Sequence, residues 1–356
     1  MKWSLLVPGA LPPASIASEL LQALDTPQFA GRIGEANPAK QPIVDRDAPH
    51  WAWLAQVFGV TMDPPVTAPF VWDAGKEAAA PPAENWMALC EPVHLALARD
   101  HLVPVALTDA PLSDEESRVL LSGAREVLAG TPFRLEERRG RWFLHATGGW
   151  HPDLCLLPLD AVLGRPLQER MPTGSDARAW RRIDNEIQMQ WHASPVNAAR
   201  EARGARVANG LWIHGCGVWQ DVSGAPFARC IVDAGGIEES VVRGWTQAAP
   251  QDRRNTQDVL SVSRALLPAF QAQAWESWVG EFAAVQARLE ADLQEARGLG
   301  ARQFDLVLAG AHSARTFTIP LRNRRWPWQR RRDASRTLRE NLAEPEMTDP
   351  TTPTRA

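Results

Sequence analysis

The sequence predicts an α/β protein: a core sheet flanked by helices, carrying a small inserted α+β subdomain. Short apolar runs alternate along the chain with longer segments whose apolar residues recur at three and four positions, the alternation from which α/β cores are built. Between residues 85 and 146 the order changes to strand, strand, helix, strand, strand, a self-contained pattern. The length of 356 residues suits one large domain with an insertion, or two domains. The expected division is 1–84 as the first part of the core, 85–150 as the inserted α+β subdomain, 151–335 as the second part of the core, and 336–356 as a disordered tail.

In chain order, WSLLVP at 3–8 predicts a short buried strand. After Pro12 and Pro13, Ile16, Leu20, Leu21 and Leu24 share one helical face. Residues 47–58 predict a helix capped by Asp47, with Trp51, Leu54 and Phe58 as core anchors. The Pro-, Ala- and Asp-rich stretch 61–82 suits an irregular connection. In the 85–146 pattern, WMALCEPVHLAL and HLVPVAL read as strands. Ser113 with Glu116 three residues on is a capping box for the helix that follows. FRLEERRGRWFLHA turns at Arg139-Gly140 as a hairpin. His94, His101 and His145, in or beside strands, read as structural histidines.

A Gly-, Pro- and Asp-rich linker, 147–175, leads to the most committed stretch of the chain, Asp184 to Gly217. Residues 176–192 predict a helix with Trp180, Ile183, Ile187 and Trp191 on one stripe and Asn185, Met189 and His192 roughly opposite. Ser194 and Pro195 start a second, short helix as N-cap and first-turn proline. Ser194, Asn197, Arg200 and Glu201 share its face, its free N–H groups offer an anion site, and Gly204 closes it. ANGLWIHGCG then reads as a turn, a buried strand and a glycine exit where backbone can approach a ligand. The candidate ligand contacts are Asn197 and Arg200 for charge and direction, Glu186 and His192 from the preceding helix, and Asn209 with the Gly215 and Gly217 backbone. Arginine suits the role because its planar fork matches phosphate or carboxylate oxygens. A well-capped helical corner with a solvated arginine face has the same spacing.

Beyond this stretch, APFARCIVDAGGIEESVVRGWT reads strand, glycine turn, helix, with Asp233 at the strand end. Residues 258–272 and 275–297 read as helices, the second amphipathic with Trp275, Trp278, Phe282, Val285 and Leu289. FDLVLAG and ARTFTI read as the last strands. The basic NRRWPWQRRRDASRTLREN segment, with two tryptophans, is either a solvated cap or a patch for anionic lipid or nucleic acid.

A formal charge of −4 argues against bulk nucleic-acid binding by the whole chain. Four cysteines without CxxC or zinc-like spacing fit reduced, buried thiols of a cytoplasmic protein. Absent tyrosine, abundant tryptophan, and much Ala and Arg with little Lys point to a GC-rich bacterial genome. No apolar run reaches a membrane span, and the start lacks a signal peptide's pattern.

The run NEIQMQWHASPVNAAREARGARVANGLWIHGCG resembles the signature of the RpfE-type regulatory proteins, many of them also described as cofactor-independent phosphoglycerate mutases. CEPVHLALARDHL at 90–102, the Leu159–Gly174 approach and NRRWPWQRRR extend the resemblance over most of the chain. More distantly, SPVN…R…G…AN…LW…G…G is similar to a segment of the archaeal-type, metal-dependent phosphoglycerate mutases of the alkaline-phosphatase-like superfamily; the family's usual histidine before Pro-Val-Asn is Ser194 here. The resemblance implies an alkaline-phosphatase-like core sheet. That superfamily's chemistry uses two metal ions held by aspartates and histidines, with a Ser or Thr nucleophile after an Asp on the first strand. Here the first strand ends LLVPGALPP, and Ala311 precedes His312 where an active member carries Asp-His.

The expectation is a phosphoglycerate-mutase-like protein without metal-dependent catalysis, with no metal or cofactor, binding a small anionic ligand or a protein partner in a regulatory role. Two alternatives stand beside it. An active mutase or phosphotransferase would need Asp160, Asp184, Asp233, His214 or His312 to converge on Mn or Mg. An interaction protein would act through residues 322–356.

Overall fold

Trp3, Leu5, Leu6 and Val7 are buried on both sides of one strand, which only the middle of a sheet can accommodate. That strand, β1 (Lys2–Val7), lies between two parallel neighbours in the computed structural model, which describes residues 1–38, 43–44, 48–60, 66–73, 85–220, 222–223, 227–234, 236–249, 257–321, 338 and 341–344. The chain forms a mixed α/β structure of two compact units. One comprises 1–54, 226–236 and 254–356; the other comprises 55–225 and 237–253.

The first unit holds a seven-stranded sheet. Besides β1 it contains β2 (Asn37–Pro38), β3 (Ile43–Val44), β9 (Arg229–Val232), β10 (Val259–Val262), β11 (Gln303–Ala309) and β12 (Ser313–Ile319). The order is β2-β12-β11-β1-β10-β9, with β3 also on β12. The strands β9, β10, β1 and β11 run parallel, and β12 returns antiparallel. Helices α1 (Ala14–Ala23), α2 (Pro27–Glu35), α10 (Leu267–Gln271) and α11 (Trp275–Gly298) belong to this unit, and α3 runs Pro49–Phe58. The long helix α11 turns Trp278, Phe282, Val285, Leu289 and Leu293 inward at helical spacing, as expected. Trp278 Nε1 donates to the Gly9 carbonyl at 2.7 Å, and Phe29 meets Phe282 edge-on at 5.0 Å.

Two expectations change here. Residues 259–262, expected within a helix, are the strand β10, buried at every position between β1 and β9. A short apolar run buried on both faces has no period to separate strand from helix. Leu338 and Leu342, in the expected disordered tail, are buried in the core of the first unit. The expected cap Asp47, Gly235 and the basic Trp-Arg segment from 322 to 337 lie outside the described residues.

The second unit is built on a five-stranded antiparallel sheet: β4 (Met87–Ala98), β5 (His101–Val105), β6 (Phe133–Arg138), β7 (Arg141–Ala146) and β8 (Gly210–Gly217). The order is β5-β4-β7-β6, with β8 also on β4. The strand of the 184–217 signature therefore pairs with the first strand of the 85–146 pattern, Cys90 opposite Ile213. Helices α4 (Ala68–Asp73), α5 (Asp114–Leu128), α6 (Leu159–Val162), α7 (Ala177–His192), α8 (Pro195–Ala202) and α9 (Ile237–Ala248) surround it. The capping box at Ser113 is present in both directions. Alternation along β7 sends Trp142 to Trp191 of α7 on one face and Phe143 to Trp72 of α4 on the other. Among the described residues no helix is long and apolar enough to cross a membrane.

Leu289→Ala, opening a fully buried site on α11, is expected to lower unfolding free energy by about 2–5 kcal/mol. Leu299→Ala, at a residue 55% exposed, should change it by less than about 0.5 kcal/mol. Urea denaturation of both variants measures the contrast.

Candidate functional site

The signature residues divide into three groups. Glu186 and His192 are exposed on α7. Asn197, Arg200 and Asn209 face inward and bond to protein groups. Gly215 and Gly217 lie against the 66–68 segment.

Arg200 has no exposed surface. Its Nε donates to the Arg206 carbonyl at 2.6 Å, Nη1 to Glu116 Oε2 at 3.0 Å, and Nη2 to the Ala110 carbonyl. Glu116 also accepts from Arg203 at 2.5 Å and from the Ser113 backbone N–H. Burial works against the Glu116 charge, but Arg203, the Ser113 amide and Arg200 outweigh it and hold the carboxyl below its usual range. Asn197 donates to the Trp191 and Ala208 carbonyls, each at 2.8 Å, and accepts from Ala208 N–H at 3.0 Å. The Asn209 side chain accepts from Leu95 N–H at 2.6 Å and donates to Leu95 O at 3.2 Å, continuing the β8 ladder by one side-chain rung. Gly215 has φ +61, and a Cβ there would stand 2.0 Å from Thr67 Oγ1; at Gly217 it would stand 2.5 Å from Val66 Cγ2. The polar groups expected to receive a ligand are therefore occupied by protein partners, and the glycines admit a neighbouring segment of the chain. Ser194 caps α8 by accepting from Val196 N–H at 3.3 Å.

Two of the groups named for a metal-dependent alternative, His214 and Asp233, are engaged by protein partners. His214 Nε2 lies 2.9 Å from Glu91 Oε1. Asp233 accepts from Ser263 Oγ, Arg264 N–H and Arg288 Nη1 at 3.1, 2.8 and 3.1 Å.

An open site of different composition lies in the second unit, a cavity of about 270 Å³ between α7 and the sheet. Val93, Leu95, Leu102, Leu211 and Trp212 form much of an apolar floor, and Leu156, Leu167, Met171 and Pro172 close one side. Asp184, Arg181, Asn185 and Gln188 come from α7. Asp184 Oδ2 accepts from Gln188 Nε2 at 2.8 Å, four residues on. Its Oδ1 is buried without a hydrogen-bond partner. Burial pushes this carboxyl up to about 6, against the opposing pull of the Gln188 amide and the Leu211 backbone. Arg181 Nε rests on the Ala177 carbonyl at 3.3 Å, and the exposed residue lines the cavity. An unpartnered buried oxygen, apolar walls and a rim cation can hold a small molecule by its body and by two polar ends.

Asp184 entered the sequence reading only as a metal-ligand alternative. The signal for more was present: four residues after Trp180 and three before Ile187, it places a carboxylate beside the buried stripe of α7.

No family model and no curated protein matches the chain. Among solved structures it is similar to the PH0037 protein from Pyrococcus horikoshii, at 12% identity and a TM-score of 0.46, over 90% of this chain and 87% of that one. It is also similar to the cofactor-independent phosphoglycerate mutase from Thermoplasma acidophilum, at 13% identity and a TM-score of 0.35, over 90% and 89% of the two chains.

Arg200→Ala leaves Glu116 its Arg203 and Ser113 partners but strands the buried carbonyls of Ala110 and Arg206, and is expected to destabilise the second unit by about 1–3 kcal/mol for each stranded acceptor, read by chemical denaturation. For Asp184 the prediction is one of pH. Its carboxyl ionises near pH 6 in the fold and near about 4 in the unfolded chain. Between these values the folded state holds the extra proton, so stability falls as pH rises through the window. The loss is complete above pH 6 and on the order of 2–3 kcal/mol. Asp184→Asn should flatten the stability profile between about pH 4 and 6.5 and leave the variant more stable than wild type at pH 7.5.

Proposed function

We propose that this chain is a phosphoglycerate-mutase-like protein that binds a small ligand in the α7 cavity and carries out no metal-dependent phosphoryl transfer. The observation that carries the binding reading is Asp184 Oδ1: a buried carboxylate oxygen without a partner, in an apolar cavity large enough for a small molecule. Leaving such a group unpaired costs about 1–3 kcal/mol, and a ligand that donates a hydrogen bond to it recovers that cost. At neutral pH the group is mostly ionised, so an ammonium or N–H donor suits it best. Arg181 at the rim suits a carboxylate or phosphate at the ligand's other end. The anionic ligand expected from the sequence is retained in this form, moved from Arg200 to Arg181.

The phosphoglycerate-mutase-like assignment is supported by the SPVN…R…G…AN signature, and the alkaline-phosphatase-like core remains part of this reading. The absence of metal chemistry is supported by the strand ends of the first unit. Residues Pro8 to Pro13 follow β1 without a carboxylate or a hydroxyl nucleophile, and Gly310-Ala311-His312 follows β11 with alanine where a metal-binding aspartate would stand. Alanine has no atom with which to replace a ligand oxygen. A regulatory role, of the RpfE type, is part of this reading and rests on the resemblance of the signature to that family.

The experiment is a thermal-shift and calorimetric titration with apolar amino acids, their decarboxylated amines, and 3-phosphoglycerate with and without Mn. Apolar amino acids should raise the melting temperature of the wild type by linkage. Asp184→Asn should abolish the shift, Arg181→Gln should weaken amino acids more than amines, and 3-phosphoglycerate with Mn should show no turnover. Equal binding by wild type and Asp184→Asn, or no binding by any amine probe, removes the pocket reading. Metal-dependent turnover removes the non-catalytic one.

A further inference from the structure

In the first unit, the turn between β11 and β12 aims three successive backbone N–H groups, of Ala311, His312 and Ser313, at one carboxylate. That carboxylate is Glu344, from the C-terminal segment. Oε2 accepts from Ala311 at 3.1 Å, and Oε1 accepts from Ser313 at 2.9 Å and from His312. The turn is closed by Gly310 N–H on the Ser313 carbonyl at 2.9 Å, which holds the three donors in place. Consecutive N–H groups converging in a turn form an anion-binding concavity whatever the sequence around them. The occupant sits close: a Cβ at Gly310 would lie 2.7 Å from Glu344 Oε1. Arg315, half-buried on β12, is near enough for the Glu344 charge to act on it.

Two further features set this apart from an ordinary cap. The nest lies at the C-terminal ends of the parallel strands β1 and β11, where Ala10 and Leu11 N–H both bond to the Ala309 carbonyl. That edge is where α/β sheets receive ligands. The anchor of the segment is also separable from its charge. Leu342 is fully buried in the core, and Glu344 follows it by two residues. The Glu344 backbone N–H also bonds to the Pro12 carbonyl at 3.1 Å, so the segment is held by contacts other than the carboxylate.

We propose that the Ala311–Ser313 nest is a binding site for a phosphate group, as phosphate or a phosphate monoester, and that Glu344 occupies it as an intramolecular competitor. The His312 and Ser313 N–H groups converge on one oxygen and the Ala311 N–H on the other, a pattern that two oxygens of a phosphate can take, and Arg315 supplies compensating charge. A tethered carboxylate competes at an effective concentration of about millimolar, so the wild-type chain binds free phosphate weakly. This site uses no residue of the α7 cavity, so its test and that of the cavity fail or succeed separately.

The test uses the full chain as wild type, Glu344→Ala and Glu344→Gln, titrated with inorganic phosphate and with acetate at constant ionic strength. Amide hydrogen exchange of the 310–314 region is the direct readout, with calorimetry for affinity. In Glu344→Ala these amides should exchange faster than in wild type, and phosphate should restore their protection. Phosphate affinity should rise at least tenfold over wild type, with Glu344→Gln between the two and acetate weaker than phosphate. Amides that stay unprotected in phosphate, equal affinities for wild type and variant, or acetate binding as tightly as phosphate each overturn the proposal. Failure of both variants to fold overturns it too, because a replaceable occupant cannot be one the fold requires.

Discussion

A polar atom removed from water needs a partner, and this constraint decides how the polar residues of the second unit divide between frame and site. Arg200 meets it most completely. Its guanidinium ties α8 to the N-terminal cap of α5 through Glu116 and to the carbonyls of Ala110 and Arg206. Asn197 does the same between the end of α7 and the approach to β8, and Asn209 between β8 and the outer half of β4. These bonds fix the angle at which the signature enters the sheet. The floor of the α7 cavity, which includes Leu211 and Trp212, is held in place by them. Asp184 Oδ1 is one of the buried atoms of this unit without such a partner, and it belongs to a residue that lines the cavity, which is what distinguishes a site from a support.

The same constraint describes the strand ends of the first unit. A sheet of parallel strands collects backbone N–H groups and exposed turns at one edge, and something must satisfy them. Here Asp233 takes the N–H of Arg264 and the guanidinium of Arg288, and Glu344 takes the three N–H groups after β11. The carboxylates at this edge thus serve backbone and arginine donors. Arg288 illustrates how tightly they are used: it reaches Asp233, Asp292 and Ser261 together from one face of α11.

Much of the fold was legible. The 85–146 pattern, the capping box at Ser113, the stripe of α11 and the strands β1, β11 and β12 each rest on local periodicity or on a cap that acts within four residues. β10 was not, because a run buried on both faces lacks the alternation that marks a strand. Of the candidate site, the sequence showed the polar groups but not their partners. Capping and spacing placed Asn197, Arg200 and Asn209 at element ends, where a ligand or a distant segment of chain can equally take their hydrogen bonds. Asp184 stood only among the possible ligands of a metal-dependent alternative.

The sequence by itself determined most of the elements, the Ser113 and Ser194 caps, the inward faces of α7 and α11, and the lack of carboxylates after β1 and at position 311. Those follow from residue identity over a few positions. The tertiary structure alone decided which polar groups find partners. Glu116 is 84 residues from Arg200, Leu95 is 114 from Asn209, and Glu344 is 31 from Ser313. Hydrogen bonds act over about 3 Å, so whether such a group is satisfied depends on chain far away in sequence.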